Sequence, residues 1–429
     1  MSAASRDAQG TLKVFDLAGG EEVLSLRGHD GLVEALTFSP DGTLLASAGT
    51  PRAPAFGIES DRTLKVWNAT TGEELCTYSA HHRGGRAVVW SPDAARIYSG
   101  GMDGRLKAWP STAPPEARVL HGHTGPVFRV TFSPNGKRLA SCGGSGEGSR
   151  PDGQAPDNAV HVWDVETGSQ LLVLAEHTST VLALAWGPEG KRIASGGVDR
   201  TIRVWDVDTG TRQRQFANQD GVVEGLAFSP DGTLVACAAG NAAALWDLAD
   251  TRVHARLALP DPLHTIAFSP DGAWVAAGST AGTITLWDGK SAAGNRSIPT
   301  GLSLTRVCFS PDSRTVAAAH TNGTVTLWDV ATGRQTAVMT GPDRTVQWLD
   351  FSPDGHRLAS CTTDMMLKVW DVPSATEVYT IRAHAGPVTC AAFSPDGTTI
   401  ATCGQDGLIK LWEAPRTPST RPAPFSTGG

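Results

Sequence analysis

Along residues 177–216 the apolar and polar positions follow a fixed grammar. "HTST" is polar, "VLALAW" is a short apolar run, and "GPEG" is a turn in which Pro fixes φ and Gly accepts a positive one. "KRIASGG" is a second strand and "VDR" a turn. "TIRVWD" then alternates faces with the period of two that a strand requires. "VDTG" turns the chain again. "TRQRQFA" is a fourth strand rich in charge, which suits an outer edge that must not pair with other chains. The pattern predicts four short antiparallel strands. One such sheet cannot bury both of its faces, but copies stacked radially can.

The grammar recurs. The aromatic that opens each "FSPDG"-like turn falls at Phe38, Trp90, Phe132, Trp186, Phe228, Phe268, Phe309, Phe351 and Phe393, with spacings of 52, 42, 54, 42, 40, 41, 42 and 42 residues. A second marker keeps step, from "KVWN" at 65–68 to "KLWE" at 410–413, and takes up nine of the 13 tryptophans. The two long spacings come from insertions between the second and third strands, "PRAPAFGIES" at 51–60 and "GSGEGSRPDGQAP" at 144–156. Upstream, "EEVLSLRGH" at 21–29 reads as an outer strand without inner ones. "TLKVFD" at 11–16 reads as an extra third strand, and "SAAS" at 2–5 as the end of a second.

The period, the His before the first strand, the mid-unit Asp and the Trp-Asp ending resemble the WD-repeat (WD40-type) β-propeller family over about residues 5–414. The Ala/Gly-rich, "FSPDG"-rich style suggests a bacterial member. The resemblance implies blades of four strands, a (inner) to d (outer), around a central channel. The expected fold is all-β: a single propeller over residues 21–413, with nine four-stranded blades in one ring. The N-terminal strand 21–29 completes the last blade. Residues 1–20 are a partial extra blade and 414–429 a disordered, Pro-rich tail. The alternatives are seven or eight blades with leftover units, or ten with an incomplete blade.

The family also implies a hydrogen-bonded tetrad of His, Ser or Thr, Asp and Trp in each blade, which would give a buried imidazole and indole their partners. The matching residues are His29/Ser47/Asp61/Trp67, His81/Ser99/Asp103/Trp109, His123/Ser141/Asp157/Trp163, His177/Ser195/Asp199/Trp205 and His384/Thr402/Asp406/Trp412. Unit eight keeps Ser360, Asp364 and Trp370 but has Pro342 at the His position. Units five to seven carry Gln219, Leu259 and Thr300 there, and are expected to rely on packing alone.

Composition narrows the function. The net charge is −7 and no Lys/Arg run occurs, which argues against nucleic acid as a partner. No apolar stretch is long enough to span a membrane, and the N-terminus carries no signal-peptide core. Seven scattered cysteines, with Cys142, Cys361 and Cys403 at one repeat position, read as small buried thiols in a reducing, cytoplasmic compartment. "AHH" at 80–82 and "HGH" at 121–123 overlap tetrad positions and lack Cys or carboxylate spacing, so no metal is expected. The Asp of each "SPDG" reads as a turn residue, because one carboxylate per turn is too few for calcium. "SGGMDG" and "CGGSGEG" have no Lys-Ser/Thr after them and are not phosphate loops. The Ser, His and Asp of the tetrads imitate a catalytic triad only by type. No cofactor and no enzymatic activity are expected.

In the family, partners often touch the strand-a residue four before the turn aromatic and the residue before the tetrad Asp. Among those positions Phe128, Leu182, Met102 and Val198, with Arg86 beside them, fall on units two to four. Apolar, aromatic and Arg side chains grouped on a rim have the composition of a binding hot spot. The expected function is a non-catalytic interaction scaffold, acting as a monomer, that binds other proteins or peptides. The alternative is a regulatory or sensor module of a signalling enzyme such as a kinase.

Overall fold

A computed structural model describes residues 2–414 except 4–9, 17–18, 30, 51–62, 82–83, 103, 105, 111–116, 145–156, 218, 251, 292 and 342–343. The two insertions, Asp61, Asp103, Pro342 and the tail from residue 415 therefore lie outside the described residues. Every assigned element is a strand. None of the described residues forms a helix long and apolar enough to cross a membrane.

Unit 3 sets the pattern. Val127–Phe132, Arg138–Gly143, Val160–Asp164 and Gln170–Leu174 pair in chain order, all antiparallel. Units 4 to 8 repeat this sheet. The a–b turns, except the Gly-Pro-Glu-Gly turn of unit 4, are held by the "SPDG" chemistry or its Asn variant in unit 3. In unit 5, Ser229 Oγ donates to Asp231 Oδ1 (2.6 Å) and accepts from Leu234 N (2.9 Å), while Thr233 N donates to Asp231 Oδ1 (3.0 Å). Gly232 takes φ +71° there, a conformation that a Cβ would strain. The c–d turn uses the Asp of Trp-Asp in the same way: Asp206 Oδ1 accepts from Thr209 N (2.9 Å).

The blades meet through small residues. Ala140, Ala194, Ala236, Ala276, Ala317, Ala359 and Ala401 hold one strand-b position and are all fully buried. A larger side chain there would push neighbouring sheets apart.

The structure is an all-β propeller built from nine such units, as expected, but its closing strand is a different one. The last blade, Val388–Phe393, Thr399–Gly404 and Ile409–Glu413, takes Arg118–Leu120 as its outer strand, with Val119 opposite Lys410. Its inner strand packs against that of unit 3, where Thr389 Oγ1 donates to Val127 O (2.5 Å). Units 3 to 9 thus close on themselves as seven blades, the alternative with leftover units. The seam is an ordinary blade join. Arg118 Nη1 donates to Val165 O (3.0 Å) just as Arg296 Nη1 in unit 6 donates to Val330 O (2.9 Å).

The expected closing strand sits elsewhere. Glu22–Leu26 pairs with Leu12–Phe15, which pairs in turn with Ser2–Ala3. This small sheet packs Leu12, Val14 and Leu26 against Val33, Leu45 and Trp67 of unit 1. Unit 1 (Leu32–Phe38, Leu44–Thr50, Thr63–Asn68, Glu74–Ser79) lies beside unit 2, which keeps three strands, Gly85–Trp90, Arg96–Gly101 and Leu106–Pro110. Together they form an arc that leans on Thr376–Arg382, the outer strand of unit 8. Glu377 of that strand is the polar tie. It accepts from Lys368 Nζ of its own blade and Lys107 Nζ of the arc, each at 3.0 Å.

Candidate partner-binding rim

The strand-a residues singled out above share one backbone feature. In all nine units the a–b pairing register slips by one residue at that position, between Val127 and Arg129 in unit 3 and between Val181 and Ala183 in unit 4. The slipped residues are Glu34, Arg86, Phe128, Leu182, Glu224, His264, Thr305, Gln347 and Thr389. A β-bulge leaves its extra residue outside the ladder and re-aims the side chain. One variable residue per blade is therefore re-aimed; in units 7 and 9 it is a Thr that donates to the next blade, Thr305 Oγ1 to Val346 O and Thr389 Oγ1 to Val127 O.

The structure divides the five candidates. Phe128, Leu182 and Val198 lie on the adjacent ring blades of units 3 and 4. Phe128 and Leu182 are half-buried and Val198 is exposed. Arg86 and Met102 belong to the arc. Arg86 is exposed and pairs with Glu34 of unit 1 at 3.2 Å, and Met102 is exposed in its turn. Sequence reasoning passed over a feature two blades on, where His264 Nδ1 contacts Glu224 Oε2. That hydrogen bond raises the His264 pKa above its ordinary value against the opposing effect of burial. The rim is thus apolar at units 3 and 4 and carries an ion pair at units 5 and 6.

Beneath the rim the tetrads hold the blades. His177 joins Ser195 Oγ and Asp199 Oδ2, both at 2.8 Å, and Trp205 Nε1 donates to Ser195 Oγ at 2.8 Å. Burial pushes the Asp199 pKa up, but the His177 hydrogen bond and charge outweigh it and set it at about 2. His384, Thr402, Asp406 and Trp412 repeat the arrangement. In units 1 and 2, His29–Ser47–Trp67 and His81–Ser99–Trp109 are joined at 2.8 Å. In unit 8, Trp370 Nε1 donates to Ser360 Oγ at 2.8 Å, and Asp364 accepts from Thr362 Oγ1.

Packing alone does not hold units five and seven. Unit 7 has a substitute in which His320 Nε2 and Trp328 Nε1 both meet Thr326 Oγ1 at 2.8 Å. In unit 5, Cys237 Sγ reaches Gln219 Oε1 at 3.6 Å. The signal for unit 7 was a buried-strand His beside a strand-c Thr two residues before the Trp.

The third tetrad has an added member. His123 bonds Ser141 Oγ and Asp157 Oδ2, both at 2.7 Å, and Trp163 Nε1 donates to Ser141 Oγ. His161 Nε2 meets Asp157 Oδ1 at 2.9 Å and its Nδ1 meets Gln170 Oε1 at 3.1 Å. The ligand atoms of His123, Asp157 and His161 lie within 4.8 Å of one another, so the carboxylate that the sequence around 121–123 lacked is supplied from the b–c turn and a second imidazole from strand c. Every ring nitrogen is already hydrogen-bonded, and a metal would have to break the tetrad. His161 fills the place that Lys65, Lys107, Arg203, Lys368 and Lys410 hold elsewhere, so the group reads as a tetrad with an imidazole in place of the usual cation.

All seven cysteines are free, and Cys142, Cys361 and Cys403 are fully buried. Burial raises the pKa of the Cys361 and Cys403 thiols well above the usual range, which leaves them unreactive.

These features define a WD-repeat propeller, and comparison with known proteins agrees. The profile of the WD40 family (WD domain, G-beta repeat) matches residues 20–68, 72–110, 115–164, 168–206, 210–247, 257–288, 299–329, 333–371 and 375–413. The chain belongs to this family, whose members are generally non-enzymatic protein-interaction scaffolds. It is 42% identical over 82 residues to mouse WD repeat-containing protein 25, covering 18% of this chain and 14% of that protein. It is 23% identical over 181 residues to the Periodic tryptophan protein 2 homolog of Dictyostelium discoideum, 42% of this chain and 18% of that one. Mouse WD repeat and SOCS box-containing protein 1 is 31% identical over 93 residues, 21% of this chain and 20% of its own. The chain spans a fifth or less of each of these relatives. All three are eukaryotic and lend no support to a bacterial origin.

Proposed function

We propose that this chain is a non-catalytic scaffold whose ring rim, at Phe128, Leu182 and Val198, receives a partner protein or peptide. The bulge at each blade carries the reading: it aims one variable residue per blade outside the ladder, and the apolar ones cluster on units 3 and 4. A protein-binding role fits the general behaviour of WD-repeat proteins and the name of the SOCS box-containing relative. Arg86 and Met102 contribute to a separate surface on the arc.

The test compares wild type with a Phe128→Ala/Leu182→Ala double variant by quantitative affinity capture and mass spectrometry. Thermal melting of both proteins serves as the folding control. Captured partners should fall at least about tenfold, the effect of losing hot-spot anchors, with the melting curve preserved. Equal capture by both proteins would sink the rim as the binding site.

A further inference from the structure

The centre of the ring holds a group that neither the tetrads nor the rim explain. Arg129, Arg306 and Trp348 occupy the same strand-a position in units 3, 7 and 8. Units 3 and 8 are separated by unit 9, so their side chains can meet only across the axis. They do meet. The guanidinium carbon of Arg306 lies 3.4 Å from the Trp348 ring centroid and that of Arg129 lies 4.3 Å away. Both guanidinium groups thus lean on one indole ring, Arg129 from unit 3 and Arg306 from unit 7. At the same position in the other blades Ala183, Gly225, Thr265 and Cys390 are small. Gly225 must be, since a Cβ there would lie 2.9 Å from Ile266 N.

Cation–π contact with one indole is a weak substitute for a counter-ion, and both arginines are half-buried, where a charge is ordinarily paired. Among the described residues neither arginine has an ion-pair partner. Arg129 Nη1 donates only to Phe128 O (2.8 Å), and Arg306 Nε is buried with no hydrogen bond. The nearby carboxyl does not compensate. Asp350 Oδ2 accepts from Phe393 N at 2.8 Å, and burial lifts its pKa to about 7. Burial and the neighbouring Arg129 together push Arg306 down to about 10, which still leaves it charged. Two cations face a partly neutral acid at the ring centre.

We propose that the ring centre is an oxyanion site, which takes a phosphate group held by Arg129 and Arg306 together as their missing counter-ion. A dianion neutralises both cations, and tetrahedral oxygens satisfy two guanidinium forks at once. The group can arrive as free phosphate or on a phosphorylated side chain.

The test is calorimetric titration with inorganic phosphate and with O-phosphoserine, at fixed pH and ionic strength, with acetate and chloride as controls. Wild type should bind one phosphate group per chain and melt at a higher temperature with it. The tighter of the two ligands identifies the source. Arg306→Met should weaken binding about tenfold or more and, without phosphate, melt no lower than wild type. Arg129→Met is read in the same way should Arg306→Met not fold. The Phe128→Ala/Leu182→Ala variant should keep its phosphate affinity, which separates this site from the rim. Undiminished phosphate binding in both arginine variants, or an equal response to acetate and chloride, overturns the proposal.

Discussion

Leu106 and Ile202 hold one place in two blades, opposite Gly100 in unit 2 and Gly196 in unit 4. Ile202 is fully buried, whereas Leu106 is 88% exposed. Tyr98 and Val89 extend the contrast: both are exposed, while Ala194, which matches Tyr98, is buried. In the ring the next blade covers this face. A Cβ added to Gly196 would meet Val223 of unit 5 at 2.6 Å. In the arc the chain leaves unit 2 for the last blade, so unit 3 covers unit 9 instead. The same strand pattern is core in one place and surface in the other. Burial here belongs to the neighbour a blade acquires and not to its own sequence.

The largest test addresses the seam itself. Val119 faces Lys410, and residues directly opposite in an antiparallel pair lie within disulfide reach. Val119→Cys with Lys410→Cys should cross-link on mild oxidation and stabilise the ring by up to about 5 kcal/mol, because the closed loop is long. Ser25→Cys with Lys410→Cys should stay reduced. Mass spectrometry without reductant reads both, and the opposite result would put the N-terminal strand on the last blade.

Next comes the tie between ring and arc. Burial opposes ionisation of Glu377, but the charges of Lys368 and Lys107 win and hold its pKa at about 2. Glu377→Gln should cost about 4 kcal/mol, since it strands two buried ammonium groups. The depressed pKa also sets a pH window. The stabilisation is complete above the ordinary Glu value of 4.5 and is lost as pH falls toward 2. Acid denaturation of Lys107→Met, which leaves the ring pair intact, should separate the arc's share from the ring's.

Smaller still is the contrast that opened this section. Ile202→Ala should cost about 3 kcal/mol through its cavity, and Leu106→Ala less than about 0.5 kcal/mol. Equal losses in urea melts would mean that unit 2 is covered after all. A last small effect is local to the arc. Ala94 takes φ 55° at the turn position that Gly232 holds in the ring. Ala94→Gly should stabilise by about 1 kcal/mol by relieving left-handed strain, measured as a shift in the thermal midpoint.

Much of this molecule was legible residue by residue. Each "SPDG" turn and each tetrad present among the described residues forms where its letters stand, because the partners lie within one unit, about 20 residues apart in sequence. The rim positions were legible as positions, although the bulge that exposes them was not. Two things escaped. His320 and Thr326 replace a tetrad from unexpected places on the two strands, so a position-by-position comparison saw only a missing His. Strand 118–120 reads as the outer strand of unit 2, and only "PSTAPPEA" at 110–117, in place of the usual Asp-x-x-Thr-Gly turn, marked that unit as different.

By itself the sequence determined the repeat, the turn types, the tetrads whose letters are complete and the small residues that blade packing demands. Those follow from local periodicity and from side chains that satisfy one another within a unit. The number of blades in the ring, the face left open on unit 2 and the meeting of Arg129, Arg306 and Trp348 were decided by tertiary structure alone. Every blade offers nearly the same apolar faces, so local chemistry cannot choose between joining unit 3 to unit 2 and joining it to unit 9. Only closure of the circle, which buries both seam faces at once, makes that choice.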